Sequence, residues 1–328
     1  MNARQITAIV IVAVIVILSG VLIATQIHGS DEDSKTIGVA WRTNQSSESF
    51  VNTVRSLQVA GGNVVILGQV VSYDLDYDSS MKLKEGIDSN GMLDLWAADI
   101  IKDTTWSNSN VEDILKDVDF VVFPGGDDIS SNLYAEPQEW AGTDEDKQFD
   151  PERDVSDYIA MSYCLDKDIP FVAICRGMQM LSVVSGAKMV QDIPTYFEEQ
   201  SIEYHDEHRN RMPYPGGYRD YASHDVLLTE GSMIHKVMGK THIQGCPSWH
   251  HQMVISVEGT QLKITGLTDT NGIQVIESVQ RTDKVCAFGI QYHPEASVVK
   301  NLDDIPNKGD YMSYEDAIAL FEWIVAYP

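Results

Sequence analysis

Basic residues are the first shortage. Lys and Arg number 23 against 49 Asp and Glu, for a formal net charge of −26. A surface of that sign repels the phosphates of nucleic acid and anionic headgroups, so no nucleic-acid partner is expected. Cysteine is scarce as well: Cys164, Cys175, Cys246 and Cys286 are the four. None forms a Cys-x-x-Cys pair, which excludes a zinc knuckle and a thioredoxin-type motif. Their spacing is not that of a disulfide scaffold, which a domain of this size does not need. The chain has no internal repeat, no low-complexity tract and no His-Glu-x-x-His. Neither a metal nor an organic cofactor is expected.

What is present suits one sizeable core: 328 residues, 43% hydrophobic and 22% charged. Residues 6–24, "ITAIVIVAVIVILSGVLIA", are almost wholly apolar and long enough as a helix to cross a bilayer. Arg4 precedes them, and Asp31, Glu32 and Asp33 follow. The run predicts one N-terminal transmembrane helix, with the membrane as a partner, and the charge asymmetry places the remaining chain extracytoplasmic. Cleavage as a signal segment, giving a secreted protein, is the alternative. The expected division is an anchor or signal segment over 1–27, a polar linker over 28–35 and one large domain over 36–328.

Within that domain short apolar runs alternate with helical patterns. "KTIGVAWRT", "NVVILGQV", "VDFVVFPGG" and "IPFVAI" read as strands; "SESFVNTVRSLQVAGG", "MLDLWAADIIKD", "NVEDILKD" and "PERDVSDYIAMSYCLDKD" read as helices. The alternation predicts an α/β fold with a doubly wound, mostly parallel sheet. After residue 191 the pattern turns to strands, "DVLLTE", "QLKITGLT", "IQVIESV" and "VCAFGIQY", so added β-structure is expected before a closing helix, "SYEDAIALFEWIVAY".

Chemistry in open parallel sheets sits at the carboxyl ends of strands. Ala173-Ile174-Cys175-Arg176-Gly177 joins a strand to a helix with small residues on both sides of a thiol. That is the pattern of a nucleophile elbow with Cys in place of Ser. The helix N-terminus behind it favours thiolate, and the backbone N–H of Arg176 is placed to bind an oxyanion. His293-Pro294-Glu295 ends the last strand pattern. Residues two apart in extended chain face one side, so Glu295 can orient His293 as a base. Gly125 and Gly126 form a turn whose N–H groups can approach a substrate oxygen. Read singly, Cys175 also fits a buried thiol, the glycines an ordinary turn, and His-Pro-Glu a solvated strand end.

The Pro-Gly-Gly turn, the Cys-Arg-Gly elbow and the terminal His-Pro-Glu occur in the order of the class I glutamine amidotransferase-like superfamily, a flavodoxin-like fold. Within it the chain resembles the gamma-glutamyl hydrolases, especially the gamma-glutamyl-gamma-aminobutyrate hydrolase type, over about residues 36–328. "DPERDVSDY", "ICRGMQML", "QDIP", "SWHHQMV" and "GIQYHPE" carry the likeness. The resemblance implies Cys175 as nucleophile, His293 as base, Glu295 as orienter, oxyanion donors near Gly126 and Arg176, and His250 and His251 bordering the site. It implies hydrolysis of small gamma-glutamyl amides without a cofactor. A glutaminase subunit feeding ammonia to a synthase, and an inactive binding module on the same fold, are the alternatives. Members of that family commonly carry Asp-Gly-x-x-Glu where this chain has Asn271-Gly272-Ile273-Gln274-Val275.

Two further features are weighed. His205 and His208 form a His-x-x-His, read as a solvated loop because no ligand set accompanies it. The Tyr- and Pro-rich stretch over 194–222 is long for a connection and suits a loop shaping the substrate pocket. The oligomeric state is not legible.

Overall fold

A computed structural model describes residues 35–210, 221–305 and 311–328. Lys35–Pro328 forms one compact unit. Its strands are β1 (Thr36–Val39), β2 (Asn63–Ile66), β3 (Phe120–Phe123), β4 (Phe171–Ile174), β5 (Lys188–Val190), β6 (Ala222–Leu228), β7 (His242–Ser248), β8 (Met253–Ser256), β9 (Leu262–Thr270), β10 (Ile273–Arg281) and β11 (Ala287–Ile290). Among the described residues one sheet has nine strands in the order β2-β1-β3-β4-β11-β10-β9-β6-β7, and β5 pairs with β8 beside it. The first five strands of that order are parallel. From β11 onward the pairings are antiparallel. The α/β, flavodoxin-like sheet with added β-structure is therefore present.

The strand sequences explain their positions. β3 (FVVF) and β4 (FVAI) are buried at every residue, as central strands covered on both faces must be. Alternate side chains enter opposite layers. Val121, Phe123, Phe171 and Ala173 join one core with Val155, Ile159, Met178 and Leu181. Phe120, Val122, Val172 and Ile174 join the other with Phe50, Leu57, Val298 and Phe321. The covering helices include α1 (Glu48–Val59), α2 (Leu95–Thr104), α3 (Val111–Ile114), α4 (Pro151–Lys167) and α5 (Arg176–Val184). They continue with α6 (Ile193–Glu199), α7 (Met233–Met238), α8 (Pro294–Leu302) and α9 (Tyr314–Ala326). Pro151 opens α4, where Asp150 accepts from the Arg153 N–H at 3.2 Å, an ordinary N-cap with proline in the first turn.

One expectation is corrected. No helix among the described residues is long and apolar enough to cross a membrane, and the span expected over 6–24 lies outside them. The transmembrane helix is withdrawn, and with it the membrane as a partner and the extracytoplasmic placement built on it. Hydropathy alone supplied that reading: length and apolarity permit a crossing without requiring one. Of the stretch 194–222, residues 194–199 belong to α6, and 211–220 lie outside the described residues. β5, β7 and β8 were not anticipated. β7 (HIQGCPS) carries Gly and Pro and lacks a clean two-residue alternation.

Candidate active site

Three neighbouring parallel strands deliver the groups singled out in the sequence. Gly125 follows β3, Cys175 follows β4 and His293 follows β11, all at carboxyl ends. Cys175 is the N-cap of α5, with φ 51° and ψ −107°. A non-glycine residue held there is strained, as the sharp turn of a nucleophile elbow requires. Gly177 explains how α5 comes so close to the sheet: a Cβ at that position would collide with the backbone carbonyl of Phe123. Gly126 is equally constrained, because a Cβ there would meet the Arg153 guanidinium.

His293 and Glu295 do face one another, for a different reason from the one expected. β11 ends at Ile290; His293 caps α8, and Glu295 sits in its first turn. The first helical turn, rather than an extended strand, brings the carboxylate back to the ring. His293 Nδ1 lies 2.6 Å from Glu295 Oε1. Both residues are buried, and His293 Nε2 has no hydrogen-bond partner. The ring lies against Gly125 and Cys175: a Cβ built on Gly125 would fall 2.7 Å from His293 Cε1 and 3.4 Å from Cys175 Cβ. Burial alone would lower the imidazole pKa, but the Cys175 sulfur and Glu295 outweigh it and push it up to about 10. Both neighbours thus favour the protonated ring over burial's preference for the neutral one.

The other three thiols lie in the apolar cores. Burial raises Cys164 and Cys246 well above the usual thiol range and pushes Cys286 up to about 12. Limiting iodoacetamide on the folded protein is expected to label Cys175 well before Cys164, Cys246 or Cys286, read by peptide mass mapping. Equal labelling of all four would contradict the elbow geometry.

Cys175 opens onto a narrow cleft of about 30 Å³, whose lining includes Gly126, Asp127, Asp128, Arg209, Trp249, His250 and His251. That is room for roughly one water molecule. His293 and Glu295 sit behind the thiol rather than in the lining. His251 Nε2 lies 2.9 Å from Asp128 Oδ1, and Nδ1 lies 3.3 Å from Asp192 Oδ1. Burial opposes its charge, yet these two carboxylates push its pKa up to about 9. Arg209 lies over the Trp249 ring at 5.4 Å and pairs with Asp146 at 2.8 Å. The cleft wall thus offers both signs of charge.

Beneath the glycine turn is a web that the sequence did not reveal. Arg153 is fully buried and donates to the carbonyls of Pro124 (2.7 Å) and Gly125 (3.1 Å), and to Asp157 (3.2 Å). Arg42 pairs with Asp127 at 2.6 Å. The Arg176 side chain turns away from the cleft to bind Asp154 at 2.6 Å and Asp157. Arg176 itself is not part of the cleft lining; it opens α5 directly after Cys175.

Behind the cleft wall lies a second cluster. His208, His224, His250 and Glu277 converge, with Glu277 Oε1 3.4 Å from His208 Nδ1, 3.5 Å from His224 Nε2 and 3.7 Å from His250 Nε2. Burial pulls the His208 and His224 imidazoles down. Burial also opposes charge on Glu277, but the surrounding histidines outweigh it and hold the carboxyl well below the usual carboxylate range. The solvated-loop reading therefore holds for exposed His205 and fails for His208, which is fully buried.

Five parallel strands with a strained cysteine elbow after β4 and a buried His–Glu pair at the helix start that follows the neighbouring β11 form the class I glutamine amidotransferase-like arrangement. The chain belongs to the Peptidase C26 family, whose model matches residues 98–295. It is 29% identical to protein NtpR of Enterococcus hirae over 187 residues, 57% of this chain and 71% of that one. It is 26% identical to the gamma-glutamyl-gamma-aminobutyrate hydrolase of Escherichia coli O157:H7 over 188 residues, 57% of this chain and 68% of that one. Among solved structures it is similar to a glutamine amidotransferase of Thermotoga maritima, at 12% identity and a TM-score of 0.45, covering 89% of this chain and 96% of that one.

Proposed function

We propose that this hydrolase cleaves gamma-glutamyl amide bonds of small substrates through a gamma-glutamyl thioester. The observation that carries the reading is the strained elbow thiol beside a buried histidine whose far nitrogen is fixed by Glu295 at 2.6 Å. The Cys175 sulfur attacks the side-chain carbonyl carbon of the glutamyl group. The proton held at His293 Nε2 passes to the leaving amine as the C–N bond breaks. His293 then takes a proton from water, whose oxygen attacks the thioester; the C–S bond breaks, glutamate leaves, and the sulfur is freed beside the reprotonated His293. Backbone N–H groups at Gly126 and Arg176 receive the negative charge on the carbonyl oxygen in both steps. Glu295 keeps the ring in the required tautomer.

The cleft as it stands has room for about one water molecule, so a glutamyl head group enters only when its wall moves; the charges it would meet there suit an amino acid. Asp128 has one buried oxygen without a partner, suited to an α-ammonium, while Arg209 suits an α-carboxylate. The Escherichia coli relative is named a gamma-glutamyl-gamma-aminobutyrate hydrolase, which favours the same bond. A protein of net charge −26 repels a long polyanion, most strongly at low salt, so short amides are preferred over poly-gamma-glutamate. The test is glutamate release from glutamine, gamma-glutamyl-aminobutyrate, short gamma-glutamyl peptides, polyglutamate and alpha-linked controls. Release from the short gamma-linked compounds is the expected result. Cleavage of the alpha-linked controls alone would sink the gamma-glutamyl assignment; cleavage of glutamine alone would favour a glutaminase subunit.

A further inference from the structure

The cluster behind the cleft wall is assembled from four separate stretches. His208 comes from the loop before β6, His224 from β6, His250 from the turn after β7, and Glu277 from β10. Two local irregularities aim them. The β9–β10 register shifts between Ile276 and Ser278, leaving Glu277 as an extra residue, and the β6–β7 register shifts just after His224. A bulge of this kind turns a side chain out of the regular alternation.

As a hydrogen-bonded group the cluster fails. Distances of 3.4–3.7 Å from Glu277 Oε1 to three imidazole nitrogens are too long. Nδ1 of His208, both nitrogens of His224, Nε2 of His250 and both oxygens of Glu277 are buried without a partner. So many unmet polar atoms in one place are costly. The outer faces of two rings, by contrast, are fixed. His250 Nδ1 donates to the Gln252 carbonyl at 2.9 Å, leaving a lone pair on Nε2. His208 Nε2 lies 2.8 Å from Thr270 Oγ1, leaving Nδ1 to face Glu277. This is how metal-binding histidines are oriented by the groups behind them.

The spacing identifies the missing partner. Ligands about 2.0–2.1 Å from a tetrahedral Zn²⁺ stand about 3.3–3.4 Å from one another. The three separations from Glu277 are close to that edge, and no two of the four ligand atoms are more than 4.8 Å apart. Three imidazoles and one carboxylate suit Zn²⁺. We propose that His208, His224, His250 and Glu277 bind one Zn²⁺ in a closed, four-coordinate site that fastens the cleft wall. All four positions are filled by protein, so the ion is structural and leaves the reaction to the thiol. Two of its ligands immediately adjoin Arg209 and Trp249, so the ion fixes both where the substrate head group would lie.

The test uses the full chain, purified with ZnCl₂ present and dialysed against metal-free buffer. Mass-spectrometric metal analysis should find close to one Zn²⁺ per chain. Chelator-stripped protein should take up Zn²⁺ in competition with a chromogenic chelator, and Co²⁺ in its place should give the intense visible absorption of tetrahedral coordination. Glu277→Gln and His224→Ala should weaken binding by at least about 100-fold, and Thr270→Val, behind a ligand, by about 10-fold. His205→Ala, on the exposed neighbouring position, should change nothing. Circular dichroism separates lost binding from lost folding; if both ligand variants unfold, Thr270→Val and the wild-type Co²⁺ spectrum decide. Failure of the wild type to bind Zn²⁺, a weak octahedral Co²⁺ spectrum, or equal affinity in folded ligand variants would each overturn the site. None of these readouts depends on which amide is cleaved.

Discussion

Cys175→Ala should lower turnover of a gamma-glutamyl amide by at least about 10⁴-fold, because removing the nucleophile of a concerted triad costs nearly as much as removing the whole triad. The residual rate should come from substrate binding and the backbone N–H groups alone. His293→Ala should fall to a similar level, and the double variant should lose little more, since the two groups act in one step. Glutamate release under saturating substrate measures this, and intact-mass detection of an acyl adduct on the wild type alone supplies a second readout. The backbone adds a stability signature. Position 175 sits at φ 51°, so Cys175→Gly should relieve strain that Cys175→Ala retains, and should be the more stable of the two. Residual activity in Cys175→Ala within about tenfold of wild type would place the nucleophile elsewhere.

The largest effect on stability is expected at Arg176→Met. Arg176 is fully buried and paired with Asp154 and Asp157, which are buried too. Burial already pushes the Asp154 carboxyl up to about 6, against the pull of Arg176. Without the guanidinium, Asp157 keeps Arg153 and Asp154 keeps only the hydrogen bond from the Ser130 N–H, so the loss should be about 3–5 kcal/mol. Urea unfolding, with the midpoint shift compared at constant m-value, reads it. Neutralising the acids first, with Asp154→Asn and Asp157→Asn, should make the same Arg176→Met change much milder, because the harm is an unpaired charge rather than a missing contact. A loss under about 1 kcal/mol in the single variant would contradict this account.

The contrast between these two positions shows what a linear sequence can disclose. The elbow was legible because its requirement is local: a thiol between small residues where an apolar run meets a helical pattern. The buried runs FVVF and FVAI were legible for the same reason. Arg153 and Arg176 were not, since their partners are turn carbonyls and acids that become neighbours only when α4 and α5 lie against the sheet. The His/Glu cluster was hidden further. His205 and His208 drew attention as a pair, yet only one turns inward. Glu277 reads as an ordinary strand residue until the bulge re-aims it. His293 and Glu295 were found through a wrong geometry: the two-residue spacing was right, but a helix start rather than a strand makes it work.

The place of β11 in the sheet bears on the order in which the protein acquires its chemistry. β11 is the last strand among the described residues, yet it lies in the interior between β4 and β10, with Ala287 opposite Phe171. The sheet therefore cannot grow by adding strands outward from one edge in the order of synthesis. Pairings between such distant segments form late and slowly. Until β11 pairs with β4, His293 has no fixed place beside the thiol. Catalytic competence is thus a property of the finished fold, and a chain stopped short of residue 287 would carry the nucleophile but not the histidine and glutamate that serve it.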